Sequence, residues 1–309
     1  ALKNNSLARE LWNSITPLAR RDWIHWISNA KQAETRARRV EQTCSKLIDG
    51  KKIAEQVKTE IAQAVFKLGG ARPNLAIILV GEREDSSLYV SLKEKQAKGV
   101  GIDTHVYKLS KDAKEEELMT IINFLNEDEL IDGILIQLPL PTQFDTNKII
   151  AALNPLKDVD GFHPQHPNYI VSPVLAAIQA SLDEIDIFDK EKSACLFYNS
   201  DVFGESLTEL IKKNGFKILN KQDSQQADLI VSALGEPNKI KKEAVKDGAV
   251  IIDIGITKVD NHVYGDADFN DLKDKISYIT PVPGGIGPMT IAFLFKNVLA
   301  AYQARHQTK

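Results

Sequence analysis

What most restricts how this chain can fold is a recurring pair of stretches: an apolar run of strand length, closed by glycine or a turn, and then a segment of helical character. The runs are Leu75-Ala-Ile-Ile-Leu-Val-Gly81, Thr104-His-Val-Tyr-Lys-Leu109, Gly133-Ile-Leu-Ile-Gln137, Ala194-Cys-Leu-Phe-Tyr198, Phe216-Lys-Ile-Leu219, Ala227-Asp-Leu-Ile-Val-Ser-Ala-Leu-Gly235 and Gly248-Ala-Val-Ile-Ile-Asp-Ile-Gly255. Helices are expected over Ser86–Lys95, Glu115–Leu125 and Glu205–Lys213, with Asn199–Gly204 a loop. An amphipathic helix precedes them, with Ile53, Val57, Ile61 and Val65 on one face. Strands alternating with helices imply parallel sheets with right-handed crossovers. The class is therefore α/β, and 309 residues exceed the usual single core, so two α/β domains are expected.

Such sheets bind ligands at the carboxyl ends of their strands, which is where polar residues deserve weighing. In a helix following the first run, Tyr89 and Lys93 stand at i and i+4 and share a face. A lysine against low-dielectric walls loses affinity for its proton and can move protons near neutral pH. A lone pair of this kind is more often two solvated groups. Gln137, however, ends an otherwise apolar run, where a buried amide needs a partner and a lysine amine is a suitable one. Asp160, in Lys157-Asp-Val-Asp-Gly-Phe-His163, reads by itself as turn chemistry.

Composition excludes several classes. Charged residues at 26% and hydrophobic residues at 43% are ordinary for a folded soluble chain. A net charge of −3 carries no polycationic footprint, so no nucleic-acid partner is expected, and no run approaches the length of a membrane span. Cys44 and Cys195 show neither metal-ligand spacing nor a disulfide framework, so no metal is expected and the compartment reads as reducing, with a cytoplasmic location. Residues 1–45 differ from the rest: they hold all three tryptophans, a helix start at Thr16-Pro17 and an arginine-rich second helix. Trp26-Ile-Ser-Asn-Ala-Lys-Gln-Ala-Glu-Thr-Arg-Ala-Arg-Arg39 resembles the carboxy-terminal helical segment of the bacteriocin-protection (OmdA-like) proteins. This segment is expected to be a helical extension packing on the body or on a partner protein.

Four motifs in register carry a second resemblance. Val80-Gly81 followed by Ser86, Tyr89 and Lys93; Gly133-Ile-Leu-Ile-Gln-Leu-Pro-Leu-Pro141; Lys157-Asp-Val-Asp-Gly-Phe162; and Thr280-Pro-Val-Pro-Gly-Gly-Ile-Gly-Pro-Met-Thr290 together resemble the bifunctional methylenetetrahydrofolate dehydrogenase/methenyltetrahydrofolate cyclohydrolase family from about residue 46 onward. The resemblance implies a folate-binding catalytic domain over 46–185, joined by the carboxy-terminal helix 288–305, and a Rossmann-like NAD(P)-binding domain over 186–287. It implies oxidation of 5,10-methylene-tetrahydrofolate by NADP or NAD, then hydrolysis to 10-formyl-tetrahydrofolate, in one-carbon metabolism serving purine biosynthesis, by a homodimer. Lys93 would then be the acid/base, Gln137 its tuning partner, Tyr89 a pterin-positioning group and Asp160 the ligand of the pterin's nitrogen edge. Ser86, Pro281, Val282, Pro283, Gly284 and Gly285 would line the folate site. The dinucleotide would meet Asn199, Ser200, Val202, Gly204, Ala233, Gly235, Asp253, Gly255 and Ile256. The 280–290 stretch, rich in glycine and proline, is expected to be a shaped loop throughout.

The sequence departs from that family in two places. The family's Gly-Arg-Ser-x-x-Val-Gly-x-Pro loop corresponds to Tyr198-Asn-Ser-Asp-Val-Phe-Gly-Glu-Ser206, which lacks the first glycine, the arginine that grips a 2′-phosphate, and the proline. The family's Pro-Cys-Thr-Pro-x-Gly is reduced to Val171-Ser-Pro-Val-Leu175. Two other readings stay open on these grounds: a cyclohydrolase with a degenerate cofactor site, and a non-catalytic folate-binding scaffold.

Overall fold

A computed structural model describes residues 46–185, 191–260 and 262–306. The expected helical extension over residues 1–45 lies outside the described residues. The chain divides into two compact units, one comprising described residues 54–176 and 290–306, the other 46–53 and 177–289. Among the described residues no helix is long and apolar enough to cross a membrane.

The first unit is built on β1 (Asn74–Val80), β2 (Asp103–Leu109) and β3 (Gly133–Ile136), parallel and in the order β2-β1-β3. Leu75, Ala76, Ile77 and Ile78 of β1 have no exposed surface, so the uninterrupted apolar run reflects a strand covered on both faces. α1 (Gly50–Phe66) buries the expected stripe of Ile53, Val57, Ile61 and Val65. α2 (Glu84–Gly99) follows β1, α3 (Glu115–Glu127) follows β2, and α4 (Thr146–Ala151) follows β3. Helix α8 (Ile286–His306) contributes its later turns to this unit. There the Arg305 guanidinium donates to Asp132 at 3.1 Å, and the Asn297 amide donates to the carbonyls of Val159 and Val171 at 2.9 and 2.7 Å.

The second unit carries a five-stranded parallel sheet in the order β10-β7-β6-β4-β5: β4 (Ser193–Tyr198), β5 (Lys217–Ile218), β6 (Leu229–Ala233), β7 (Val250–Asp253) and β10 (Tyr278–Ile279). Its core gathers Cys195, Ile230, Ile251, Leu272 and Ile279. The chain leaves β4 for β5 on one side and returns to β6 on the other, so strand order reverses between β4 and β6, as in doubly wound nucleotide folds. The remaining elements are helices α5 (Pro173–Ile185), α6 (Asp201–Lys213) and α7 (Phe269–Leu272), the antiparallel hairpin β8 (Thr257–Val259) and β9 (His262–Tyr264), and short 3-10 turns at Lys221–Gln226 and Lys242–Ala244.

Two loops expected from the sequence begin as helix instead. α6 starts at Asp201 rather than Glu205, because the Ser200 hydroxyl caps it, accepting from the Phe203 N–H at 3.4 Å. α8 starts at Ile286, inside the glycine- and proline-rich stretch. Pro288 fits its first turn because N–H groups there have no intrahelical acceptor to lose.

Candidate active site and cofactor crevice

The first cluster forms at the carboxyl ends of β1 and β3. Strand β1 delivers the chain into α2, whose third turn carries Lys93. Gln137 is the residue after β3, and its backbone N–H continues the ladder by donating to the Ile78 carbonyl at 2.9 Å. The Lys93 ammonium donates to Gln137 Oε1 at 2.9 Å, and Gln137 Nε2 donates to the Leu138 carbonyl at 2.9 Å. The amide is thereby held with its oxygen facing the amine. Burial lowers the Lys93 pKa from the usual lysine value, and the Asp160 charge opposes part of that shift. Burial likewise pushes the Asp160 carboxyl up to about 6, with Lys93 pulling it down. The three residues form one electrostatic unit.

The loop that presents Asp160 explains why its motif is long. Lys157 is buried and donates to the carbonyls of Leu125 and Asp128 at 2.9 and 2.7 Å. Asp158, also buried, accepts from the backbone N–H groups of Asp160 and His163 at 3.1 and 2.7 Å. Gly161 adopts φ +69°, and a Cβ there would meet Ser172 N at 3.0 Å. Of this motif, sequence reasoning weighed Asp160 as a ligand and missed the anchoring done by Lys157 and Asp158. Ser86 is buried in the first turn of α2, and Tyr89 sits one turn before Lys93, 38% exposed.

The remaining predicted residues lie in the other unit. Pro281 to Gly285 form the turn between β10 and α8, closed by the Gly285 N–H donating to the Pro281 carbonyl at 2.7 Å. A Cβ on Gly50 would meet the Gly285 carbonyl oxygen at 1.9 Å, so the start of α1 lies directly on this turn. Nothing in the local sequence at Gly50 signals that contact.

The predicted dinucleotide residues gather at the carboxyl ends of β4, β6 and β7. Asn199 Nδ2 donates to the Leu234 carbonyl at 2.5 Å, and Ser200 caps α6. Val202 is exposed on α6, and Ile256 is 44% exposed beyond β7. Gly204 is buried inside α6, where a Cβ would lie 2.2 to 2.5 Å from carbons of the Tyr198 ring; its bareness serves the chain's own tyrosine. Ala233 ends β6. Gly235, at φ +69°, has nothing within 4 Å of where a Cβ would stand.

Asp253 and Asp266 brace these loops. Asp253 accepts from the N–H groups of Gly255, Asp266 and Ala267 at 3.0, 3.0 and 2.8 Å. Asp266 accepts from the Ser232 hydroxyl and the N–H groups of Leu234 and Glu236 at 2.8, 2.7 and 2.9 Å. A Cβ on Gly255 would strike Asp266 Oδ1, and one on Gly265 would strike Asp253 Oδ2, both at 2.1 Å. Asp253 thus lies against the glycine before Asp266, and Asp266 against the glycine two residues after Asp253. Burial pushes Asp253 up to about 7 against the pull of its three N–H donors. Open backbone at Gly235, a capped helix start and braced strand ends fit a dinucleotide lying across this edge.

Comparison with known proteins decides the family. A relative from Halothermothrix orenii named bifunctional protein FolD is 40% identical over 275 residues, covering 83% of this chain and 97% of its own. The chain belongs to the tetrahydrofolate dehydrogenase/cyclohydrolase family. Residues 48–160 match the family's catalytic domain and 174–306 its NAD(P)-binding domain. The bifunctional FolD enzyme of Campylobacter jejuni is a structural neighbour at TM-score 0.79 and 33% identity, covering 84% of this chain and 99% of that one. The Trypanosoma brucei dehydrogenase-cyclohydrolase, solved with NADP and an inhibitor, gives TM-score 0.78 at 29% identity, covering 84% and 97%. Residues 1–50 match a different family, described as bacteriocin-protection, YdeI or OmpD-associated. Family membership accounts for the four motifs in register, and it makes Tyr198, Asn199 and Ser206 departures within a matched NAD(P)-binding domain.

Proposed function

We propose that Lys93 is the general acid/base of folate hydrolysis in this bifunctional FolD-type enzyme, with Gln137 and Asp160 as its companions. The enzyme oxidises 5,10-methylene-tetrahydrofolate to the methenyl form with a nicotinamide cofactor and hydrolyses that product to 10-formyl-tetrahydrofolate. The observation that carries the assignment is the hydrogen bond from the Lys93 ammonium to Gln137 at the carboxyl ends of two adjacent parallel strands.

In the hydrolytic step a water oxygen attacks the methenyl carbon and releases a proton, which the neutral Lys93 amine accepts. The same ammonium then delivers a proton to the ring nitrogen as the carbon–nitrogen bond breaks, and the hydroxyl on that carbon releases its remaining proton to solvent as the formyl carbonyl forms. Desolvation disfavours the charged amine and the Gln137 oxygen stabilises the ammonium once formed, so the residue can pass between both states. Ionised Asp160 accepts hydrogen bonds from the pterin edge and limits how far the lysine pKa falls. Tyr89 positions the ring from the preceding turn, and Ser86 belongs to the folate site.

A bound nicotinamide would supply the acceptor for the hydride of the methylene carbon. Ser200 and the start of α6 would hold its phosphates, and Gly235 would give it close backbone approach, with Gly255 and Ile256 beyond the end of β7 beside the braced Asp253. The reading assigns 46–185 with the last helix to folate chemistry and 186–287 to the cofactor. It includes a homodimer in the cytoplasm, on the strength of the family resemblance alone.

The test is hydrolysis of methenyl-tetrahydrofolate by the purified chain, beside a titration of NAD and NADP with methylene-tetrahydrofolate. Hydrolysis that is lost in Lys93→Met supports the assignment, and equal hydrolysis by the variant removes Lys93 from the mechanism.

A further inference from the structure

The loss of the family's arginine at position 199 leaves unexplained how this crevice would distinguish NADP from NAD. Asn199 cannot take over the role of a charged fork, because its amide is neutral and one of its two N–H groups already donates to the Leu234 carbonyl. Asp201, in the first turn of α6, and Glu205 are exposed there and repel phosphate. Any cation that offsets them must come from another element.

In nucleotide folds of this kind the adenosine ribose lies near the end of the second strand, roughly twenty residues beyond the glycine loop; a carboxylate there selects the 2′-hydroxyl of NAD and a cation accommodates the 2′-phosphate of NADP. Here the second strand is β5, and the residues that directly follow it are Leu219, Asn220 and Lys221, none of them acidic; the first carboxylate is Asp223, two residues further on and half-buried. The turn is tied to β4: the Leu219 N–H donates to the Ala194 carbonyl at 2.8 Å, and the Cys195 thiol faces the Asn220 carbonyl at 3.7 Å. Lys221 opens the short 3-10 turn that follows and is solvent-exposed. Its ammonium lies over the Tyr198 ring, 4.9 Å from the centroid. Tyr198 stands where the family has its first glycine, and its ring is seated on Gly204. The bulky residue that stands in place of glycine thus provides the aromatic face on which a lysine from the turn after β5 rests.

We infer that Lys221, held on the face of Tyr198, recognises the adenosine 2′-phosphate and makes this enzyme prefer NADP, taking over from the guanidinium absent at Asn199. The ring attracts the ammonium without neutralising it, and an ammonium has three donors, so it can touch the ring and a phosphate oxygen together. The inference rests on the reading that this unit binds a nicotinamide dinucleotide.

The experiment is calorimetric titration of the full chain with 2′,5′-ADP and with 5′-AMP, for wild type, Lys221→Ala, Lys221→Arg, Tyr198→Phe and Tyr198→Leu, with far-UV circular dichroism checking that each variant folds. Wild type is expected to bind 2′,5′-ADP about 10- to 100-fold more tightly than 5′-AMP, the size of a charge-assisted contact. Lys221→Ala should bind both alike, Lys221→Arg and Tyr198→Phe should keep the preference, and Tyr198→Leu should weaken it. A wild-type protein that binds both equally, or a preference that survives Lys221→Ala, overturns the inference and leaves the dinucleotide reading standing. Failure of the folded wild type to bind either nucleotide overturns the dinucleotide reading and the inference with it.

Discussion

The amine of Lys93 and the side-chain oxygen of Gln137, 44 positions apart in the chain, lie 2.9 Å apart at the ends of two adjacent strands. An amide cannot exchange a proton with the amine, so it stabilises the ammonium without competing for the proton that the reaction moves. Positioned acid/base groups contribute about 10²- to 10⁴-fold. Lys93→Met is therefore expected to lower kcat for methenyl-tetrahydrofolate hydrolysis by at least about 10²-fold. Gln137→Met should cost about tenfold and shift the alkaline half of the pH–rate profile, because the amine then lacks the acceptor that favours its charged form. A Gln137→Met profile identical to wild type would show that the amide does not tune the lysine.

The Asp160 carboxyl is pushed up to about 6 from an ordinary value of 3.8, so folding favours its protonated form. Its contribution to stability is full below 3.8 and is lost as pH rises through about 6. Asp160→Asn should accordingly raise Tm at pH 8 relative to wild type and leave it unchanged at pH 4. The same titration acts on binding in the opposite sense. Wild-type KM for the folate should climb as pH falls below about 6, and Asp160→Asn should show a high KM without that dependence. A wild-type KM flat from pH 5 to 8 would exclude the carboxylate from substrate binding.

Removing the Asp266 carboxylate strands three buried donors: the Ser232 hydroxyl and the N–H groups of Leu234 and Glu236. Each buried donor left unsatisfied costs about 1–3 kcal/mol. Asp266→Ala should therefore lose at least about 3 kcal/mol in urea unfolding. An unchanged midpoint would mean that the bracing of the strand ends is not carried by this residue.

Gly50 and Gly99 look alike in sequence and should respond oppositely to alanine. At Gly50 the new Cβ meets the Gly285 carbonyl oxygen at 1.9 Å, so either α1 or the 281–285 turn must move; a cost of about 1–3 kcal/mol is expected. At Gly99, the last residue of α2, a Cβ meets nothing within 4 Å, and Gly99→Ala should be neutral or stabilise by up to about 1 kcal/mol. Comparing the two Tm values checks this directly, and equal effects would contradict the close approach.

The sequence by itself determined the parallel α/β plan and which polar groups end up at strand ends. It could do so because strand β1 is apolar without a break, α1 repeats its buried face every four residues, and Gln137 interrupts an apolar run where only a partnered amide is tolerable. Local hydrogen bonding also escaped that reading in small ways: the Ser200 cap starts α6 at Asp201, four residues before the expected Glu205, and Ile286 opens a helix inside a stretch that composition marked as loop.

Only the tertiary structure decided that Gly50 must be bare for Gly285, that Asp253 fills the space beside Gly265 and Asp266 that beside Gly255, and that Lys221 rests on Tyr198. In each pair the partners come from separate elements, so no periodicity or turn propensity links them. Their proximity is a consequence of how sheets and helices pack, and it exists only once the strands have taken their order.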